Sequence, residues 1–320
     1  MRRPLVALFA AAVLLGPLSA CGDSNGGGAN TQSGAPDNVN VGVIAIVDVA
    51  PIYLGKQQGF FSKRNINLTL TTAQGGAAIV PAVVSGQYQF GFSNSISLLL
   101  ANSNGLPLKV VCNGNNSTGV ADDFAGLYVK GDSPIKSPKD LVGKTVAANT
   151  LKNIVETSVR ASVKKDGGDE KAVKFVELPF PDQPAALQAG RVDAVFLVEP
   201  FQQAVVAQGA RKIASSYADA APNLTVAMYF TSQQLISRNP DLVNRFRDAM
   251  KESLAYADSH PDAVRDILGS YTQITPEIRA KLVLPKFPSD INRESVQTLS
   301  DFAQAEGLIT KQPDLNALLP

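Results

Sequence analysis

The stretch Val39-Asn40-Val41-Gly42-Val43-Ile44-Ala45-Ile46-Val47-Asp48-Val49-Ala50, followed at once by Pro51-Ile52-Tyr53-Leu54, decides the fold. Nearly continuous apolar chain of this kind is what a strand covered on both faces of a parallel sheet requires. Pro51 then opens a helical pattern through Ile52, Tyr53, Leu54 and Gly59-Phe60-Phe61. Ile66–Thr72 alternates Ile66, Leu68 and Leu70 with Asn67 and Thr69, which is strand chemistry again. Gln74-Gly75-Gly76 leads into an apolar helix over Ala77–Val84, closed by Gly86. Tyr88–Ser93 is a short strand, Ile96–Ala101 a helix and Leu108–Cys112 a further strand. Strands alternating with helices in this way predict a parallel sheet with crossover helices.

A second block repeats the pattern. Phe124–Lys130 and Thr145–Asn149 are strands, with a short helix start at Ser137–Leu141 between them. Leu151–Lys165 is helical, Val173–Leu178 a strand, and Gln183–Ala189 a helix closed by Gly190. Val192–Val198 is a buried strand, followed by a helix over Phe201–Gln208 and strands at Lys212–Ser216 and Thr225–Thr231. From Ser232 only helices are expected. Asn239-Pro240 is a cap followed by proline at the first helical position. Leu242, Phe246, Met250, Leu254 and Ala257 then recur at helical spacing and should face a core. Asp262–Leu268, Glu277–Leu284 and Ser295–Glu306 read as further helices. The whole predicts two α/β lobes, with Phe124–Lys130 and Thr225–Thr231 as the connecting strands. Residues 39–125 and the helical tail 225–320 form the first lobe, and 126–224 the second.

Ahead of this body lies an export signal: Arg2-Arg3, the apolar run Leu5–Leu15, a Gly16-Pro17 break and Leu18-Ser19-Ala20-Cys21. Cysteine directly after such a cleavage site resembles the lipobox of bacterial lipoproteins. That resemblance implies removal of residues 1–20 and lipidation of Cys21. Each buried acyl methylene contributes about 0.8 kcal/mol, and two or more chains anchor stably. The apolar run is well short of the ~20 residues that a spanning helix needs. Gly22–Asn38 is rich in Gly, Ser, Asn and Asp and reads as a flexible tether. The expected location is therefore outside the cytoplasmic membrane, held to it by lipid.

Composition narrows the function. Without Arg2 and Arg3, 27 of the 29 basic residues face 28 acidic ones, a net charge of −1. No basic stripe marks a nucleic-acid binder. With Cys21 lipidated, Cys112 is the sole free thiol and His260 the sole histidine, which excludes a zinc site built from Cys and His. No metal and no cofactor are expected. Gly-x-Ser-x-Gly turns, phosphate loops and His-Glu-x-x-His stretches are all missing. Asp166-Gly167-Gly168-Asp169-Glu170 lacks the spaced ligands of a calcium loop.

Several short stretches carry a family resemblance: Tyr53-Leu54-Gly55-Lys56-Gln57-Gln58-Gly59-Phe60-Phe61, Gln74-Gly75-Gly76, Gly86-Gln87-Tyr88-Gln89-Phe90-Gly91, Asp140–Val146 and Ala189-Gly190-Arg191-Val192-Asp193-Ala194. Their order and spacing resemble the nitrate/sulfonate/taurine-binding group, which is similar to the thiamine-precursor-binding proteins. The resemblance runs from Val39 to the C-terminus. It implies a two-lobed periplasmic-binding-protein type II fold (a Venus flytrap), monomeric, with a small ligand between the lobes. It also implies an ABC permease and its ATPase subunits as partners. The ligand class stays open between an organic sulfonate, carboxylate or similar anion and an aminopyrimidine-type thiamine precursor. The rival is an enzyme of the same fold that makes the thiamine pyrimidine. Such an enzyme depends on an active-site His and a cysteine-rich motif, whereas His260 lies between tail helices and Cys112 stands alone. No catalytic residue is expected.

Ligands in open α/β sheets bind beyond the carboxyl ends of strands. That rule selects Asp48, Ala50 and Pro51, then Gln74, Gly75 and Gly76, then Ser93 and Asn94 from the first lobe. The second lobe offers Asn149, Thr150 and Asn153, then Phe180 and Asp182, and finally Glu199. Gly75 and Gly76 either admit an anion close to the backbone or simply serve a turn. Asn94 is a helix cap or a ligand contact. Asp48 and Glu199 end apolar strands, where a carboxylate needs a partner. Facing the ligand they favour an amine, an amidine-like pyrimidine or a zwitterion; bonded to backbone they leave the anion in place.

Overall fold

The structure, a computed structural model, describes residues 34–320. The export signal and Cys21 lie outside the described residues. Ten strands make two five-stranded sheets. The first lobe contains β1 (Asp37–Val43), β2 (Ile66–Thr72), β3 (Phe90–Asn94), β4 (Leu108–Asn116) and β10 (Thr225–Ser232) in the order β2-β1-β3-β10-β4. The second contains β5 (Ala125–Val129), β6 (Thr145–Ala148), β7 (Lys174–Glu177), β8 (Ala194–Val198) and β9 (Arg211–Ala214) in the order β7-β6-β8-β5-β9. Helices α1 (Ala50–Gln57), α2 (Gly76–Val84) and α3 (Ser95–Ser103) serve the first sheet. The second has α4 (Ile154–Lys165), α5 (Gln183–Gln188), α6 (Phe201–Ala207) and α7 (Ser216–Ala220). The tail is α8 (Gln233–Arg238), α9 (Pro240–Ser259), α10 (Pro261–Ile267), α11 (Pro276–Arg279), α12 (Arg293–Ala305) and α13 (Leu315–Leu318). This is the two-lobed α/β architecture that the alternation of strands and helices predicts.

Both sheets are mixed rather than parallel. β10 runs antiparallel to β3 and β4, and β5 antiparallel to β8 and β9. Each is the strand that enters its sheet from the other lobe, and it reverses direction because the chain turns back across the gap. The crossings themselves are the short segments 117–124 and 221–224. They lie side by side, with Ser117 N–H donating to the Leu224 carbonyl at 2.8 Å.

Order reaches back two residues before Val39. Arg245 of α9 binds the Asp37 carboxylate at 2.6 Å, and Asn67 donates to Asn38 at 2.7 Å, drawing Asp37 and Asn38 into β1. The first strand also stops at Val43, not Ala50. Residues Val47–Val49 form a 3-10 turn, and Ala50 begins α1. α4 starts at Ile154, since Lys152 takes a left-handed φ of 52°. Residues 280–284 are not helical, so only Pro276–Arg279 remains of the helix read over Glu277–Leu284.

The long tail helix α9 closes the first lobe. Asn239 caps it through a bond from Leu242 N–H at 3.0 Å. Its apolar positions Leu242, Phe246, Met250, Leu254 and Ala257 are buried, as their spacing predicts. Phe246 stacks on Phe90 of β3 with centroids 3.8 Å apart and also meets Phe61 at 5.7 Å. Phe246→Ala should destabilise the protein by about 3–5 kcal/mol, as truncations of buried aromatic rings do. The midpoint of denaturant unfolding measures it, and a loss under 1 kcal/mol would mean the tail is not part of this core.

Candidate functional site

The segments that follow β1, β2 and β3 on one side and β6 and β8 on the other meet between the lobes. Asp48 sits in the turn after β1 and is buried. Asn115 of β4 donates its amide to Asp48 Oδ1 at 3.0 Å, while Oδ2 has no partner. Burial pushes the Asp48 carboxyl up to about 7, against the lowering effect of a backbone bond and Asn115; the nearby Asp123 charge adds to the rise. Tyr217 of the second lobe, Tyr229 of β10 and Tyr271 of the tail all feel the Asp48 charge. The carboxyl therefore lies where aromatic residues of both lobes meet. Tyr271 stacks on Tyr53 with centroids 3.9 Å apart and donates to the Ile46 carbonyl at 3.1 Å.

Glu199, at the end of β8, is better satisfied. Its Oε1 accepts from Gln202 and Gln203 side chains, both at 3.0 Å, and from Val283 N–H at 3.1 Å. Its backbone carbonyl accepts from Val47 N–H at 3.0 Å. One residue thus ties the second lobe to both the β1 turn and the tail. Burial still pushes its carboxyl up to about 7. Since the tail's backbone holds Glu199, it acts as a joint, and Asp48 is the carboxyl with an open valence.

The two glycines answer to space. Gly75 caps α2 with extended φ, so no turn conformation demands it. A Cβ there would stand 2.6 Å from Thr150 Oγ1 and 3.4 Å from Asn149 Nδ2, across the gap. A Cβ at Gly76 would stand 2.2 Å from Ser93 Oγ. Ser93 is fully buried, and its hydroxyl has no partner. Asn94 caps α3, accepting from Ser97 N–H at 3.0 Å. Asn153 caps α4 and reaches the other lobe, donating to Ser97 Oγ at 2.9 Å. The lobes thus touch along Gly75–Thr150 and Ser97–Asn153, a closed arrangement.

Other members of the predicted set lie apart from these contacts. Phe180 is buried against Phe201, with centroids 6.0 Å apart. Asp182 and Gln74 are exposed. Ala50 and Pro51 are buried in the first turn of α1. Asn115, Ser97, Tyr217 and Tyr271 escaped the sequence reading. The run Asn113-Gly114-Asn115-Asn116 was the available signal, a polar stretch that continues β4 past Cys112. Cys112 is buried, its thiol pushed up to about 12 by desolvation. His260 stacks on Tyr256 at the α9–α10 junction. Among the described residues no group of three or more His, Cys, Asp or Glu could hold a metal ion.

Comparison with known proteins agrees with the two-lobed fold. The taurine-binding periplasmic protein of Escherichia coli K12 is 24% identical over 225 residues, which is 70% of this chain and 68% of that protein. The riboflavin-binding protein RibY of Chloroflexus aurantiacus is 25% identical, covering 69% of this chain and 62% of that protein. A 4-amino-5-hydroxymethyl-2-methylpyrimidine phosphate synthase of Candida albicans is 20% identical over 74% of this chain and 70% of its own length. Among solved structures, the alkanesulfonate-binding protein SsuA of Xanthomonas axonopodis, bound to MOPS, superposes with a TM-score of 0.74 at 18% identity, covering 90% of this chain and all of that one. The family model described as NMT1/THI5 like matches residues 46–264, the β1 turn through most of the tail's first helices. That span includes Asp48, Gly75, Ser97, Thr150, Asn153 and Glu199, and the chain belongs to the NMT1/THI5-like family.

Proposed function

We propose that this protein is the exported solute-binding component of an ABC-type importer. It holds a small ligand carrying N–H donors between its lobes and delivers it to a membrane permease driven by ATPase subunits. Asp48 carries this reading. Its Oδ2 is a buried acceptor without a donor, and Asn115 Oδ1 beside it is another. Buried acceptors left unpaired cost about 1–3 kcal/mol each, which a donor-bearing ligand recovers. An amine, a zwitterion or an aminopyrimidine meets that need. The unpartnered Ser93 hydroxyl and the α2 terminus at Gly75-Gly76 suit an anionic end, so a sulfonate or carboxylate that also carries an amine satisfies both. The named ligands of the relatives, taurine and riboflavin, both bear such donors.

The enzyme reading, drawn from the synthase relative, has less behind it. His260 stands at the α9–α10 junction and Cys112 is a buried, protonated thiol, so neither is placed for chemistry beside Asp48. The protein acts as a monomer without a cofactor, and rotation about segments 117–124 and 221–224 opens and closes the cleft. Cys21 carries the lipid that keeps it at the outer face of the membrane.

Titration calorimetry with taurine, an aminopyrimidine, an amine-free alkanesulfonate and nitrate tests the ligand class. Ionised Asp48 is the form that accepts from an amine. With its carboxyl near 7, amine-bearing ligands should bind more tightly as pH rises from about 6 to about 8. Asp48→Asn should weaken them by about tenfold to a hundredfold, the worth of a hydrogen bond to a charged group. Tight nitrate or alkanesulfonate binding with no effect of Asp48→Asn would overturn the donor requirement. Turnover of any bound compound would favour the enzyme.

Membrane attachment is checked separately. Cys21→Ser should move the protein from the membrane fraction to the soluble one when expressing cells are fractionated. Retention of the variant in the membrane fraction would rule out the lipid anchor.

A further inference from the structure

On the flank of the cleft a cavity of about 500 Å³ lies between α4 of the second lobe and α12 with its C-terminal turn. Glu306, at the end of α12, points its Oε2 across to Thr157 of α4 and accepts from that hydroxyl at 3.0 Å. Glu306 is half-buried and lines the cavity with Phe302 and Leu308, and two further carboxylates, Glu156 and Glu170, line it too. Arg160 is already spent. Its guanidinium donates to the Glu170 carbonyl, stands 3.9 Å from Glu156 and covers the Phe175 ring. Lys152, Lys164 and Lys171 stand around the rim. Among the described residues no cation comes within ion-pair reach of Glu306.

We propose that Glu306 is a proton-operated latch between the lobes: closing the cleft takes up a proton at its carboxyl, and losing that proton releases α12 from α4. The inference rests on the reading that the lobes open and close. A protonated carboxyl keeps its carbonyl oxygen for the Thr157 hydroxyl and sheds the charge that Glu156 and Glu170 repel. Opening the cleft separates it from both and returns it to water. Burial, helped by Glu156 and Glu170 and opposed by Thr157 and Arg160, pushes the closed carboxyl up to about 7. An open, solvated glutamate titrates near its ordinary value. Between those two values the closed form binds the extra proton, so acid favours closure and rising pH through 7 favours opening. Lys152, Lys164 and Lys171 limit the effect, and partial exposure screens it.

Small-angle scattering of the full, ligand-free chain at about pH 5.5 and about pH 8 reads the latch directly. The wild type should expand at the higher pH, with its closed-to-open ratio falling by about tenfold, the worth of one discounted titration. Glu306→Gln keeps an acceptor for Thr157 without the charge and should stay compact at both pH values. Thr157→Val should lower the closed fraction at the acidic pH. Circular dichroism and the unfolding midpoint confirm that each variant is folded. A wild type that keeps one radius of gyration, or a Glu306→Gln chain that expands as the wild type does, overturns the latch; the second result would assign the pH response to Asp48 or Glu199. No ligand is added, so a protein that binds none of the calorimetric probes still answers this question.

Discussion

The hinge is held by hydrogen bonds that leave the chain little freedom in how it passes from lobe to lobe. Ser117 N–H bonds the Leu224 carbonyl, which clamps the two crossings together. Asp123 organises the first of them, accepting from Ser117 Oγ at 2.5 Å, Thr118 N–H at 3.0 Å and Phe124 N–H at 2.9 Å. The tail joins this bundle as Lys286 exchanges backbone bonds with Asn116 at 2.8 and 3.1 Å. Three passages of chain are thereby fixed side by side at one edge of the gap. Any movement of the lobes must turn about that edge, and the strand ends farther out travel most.

The position of Asp48 follows from the same constraint. In the closed arrangement Asp48 lies buried near the Asp123 carboxylate of the crossing, and this burial is what raises its proton affinity. A buried carboxyl that titrates near 7 is a poor stabiliser, because its ionised form is held at a cost. Keeping one there, with Asn115 spent on a single oxygen, is reasonable if a ligand supplies the second donor. Glu199 shows the contrast: there the neighbouring Gln202, Gln203 and Val283 N–H fill the role. The two carboxyls differ because the α6 glutamines and the tail backbone at Val283 reach Glu199 and not Asp48.

Periodicity made the regular parts of the chain legible. The apolar spacing of α9 and its Asn239-Pro240 start announced that helix, and the strand–helix alternation announced both lobes. Part of what it misplaced comes from burial outside a sheet. Ile44, Ile46 and Val47 are as apolar as β1, yet they form a turn buried under the second lobe, with Val47 bonded to Glu199. Asn113, Asn115 and Asn116 are polar yet fully strand: they pair along β10, and their amides donate to the Pro288 carbonyl, Asp48 and the Asn223 carbonyl respectively. The strand read over Lys212–Ser216 is Arg211–Ala214, and Ser216 instead opens the short helix α7, from which Tyr217 packs on Phe124 and Phe196. Hydropathy reports that a side chain is covered, and it is silent on which element covers it.

The tail works in two places at once. α9 completes the first-lobe core through Phe246, so the lobe needs the tail to be apolar-closed. Farther along, Val283 reaches Glu199 beside the hinge, and α12 meets α4 of the second lobe at the opposite flank. A segment anchored in one lobe and touching the other at both the hinge and the rim sets how far the gap can open. The rim contact is the weaker of the two, a single hydroxyl–carboxyl bond at the edge of a cavity, whereas the hinge contact is backbone to a buried carboxylate. On the proposed closure motion the α12–α4 contact breaks first and Glu199 stays in place, so the latch acts at the rim while the hinge keeps the lobes aligned.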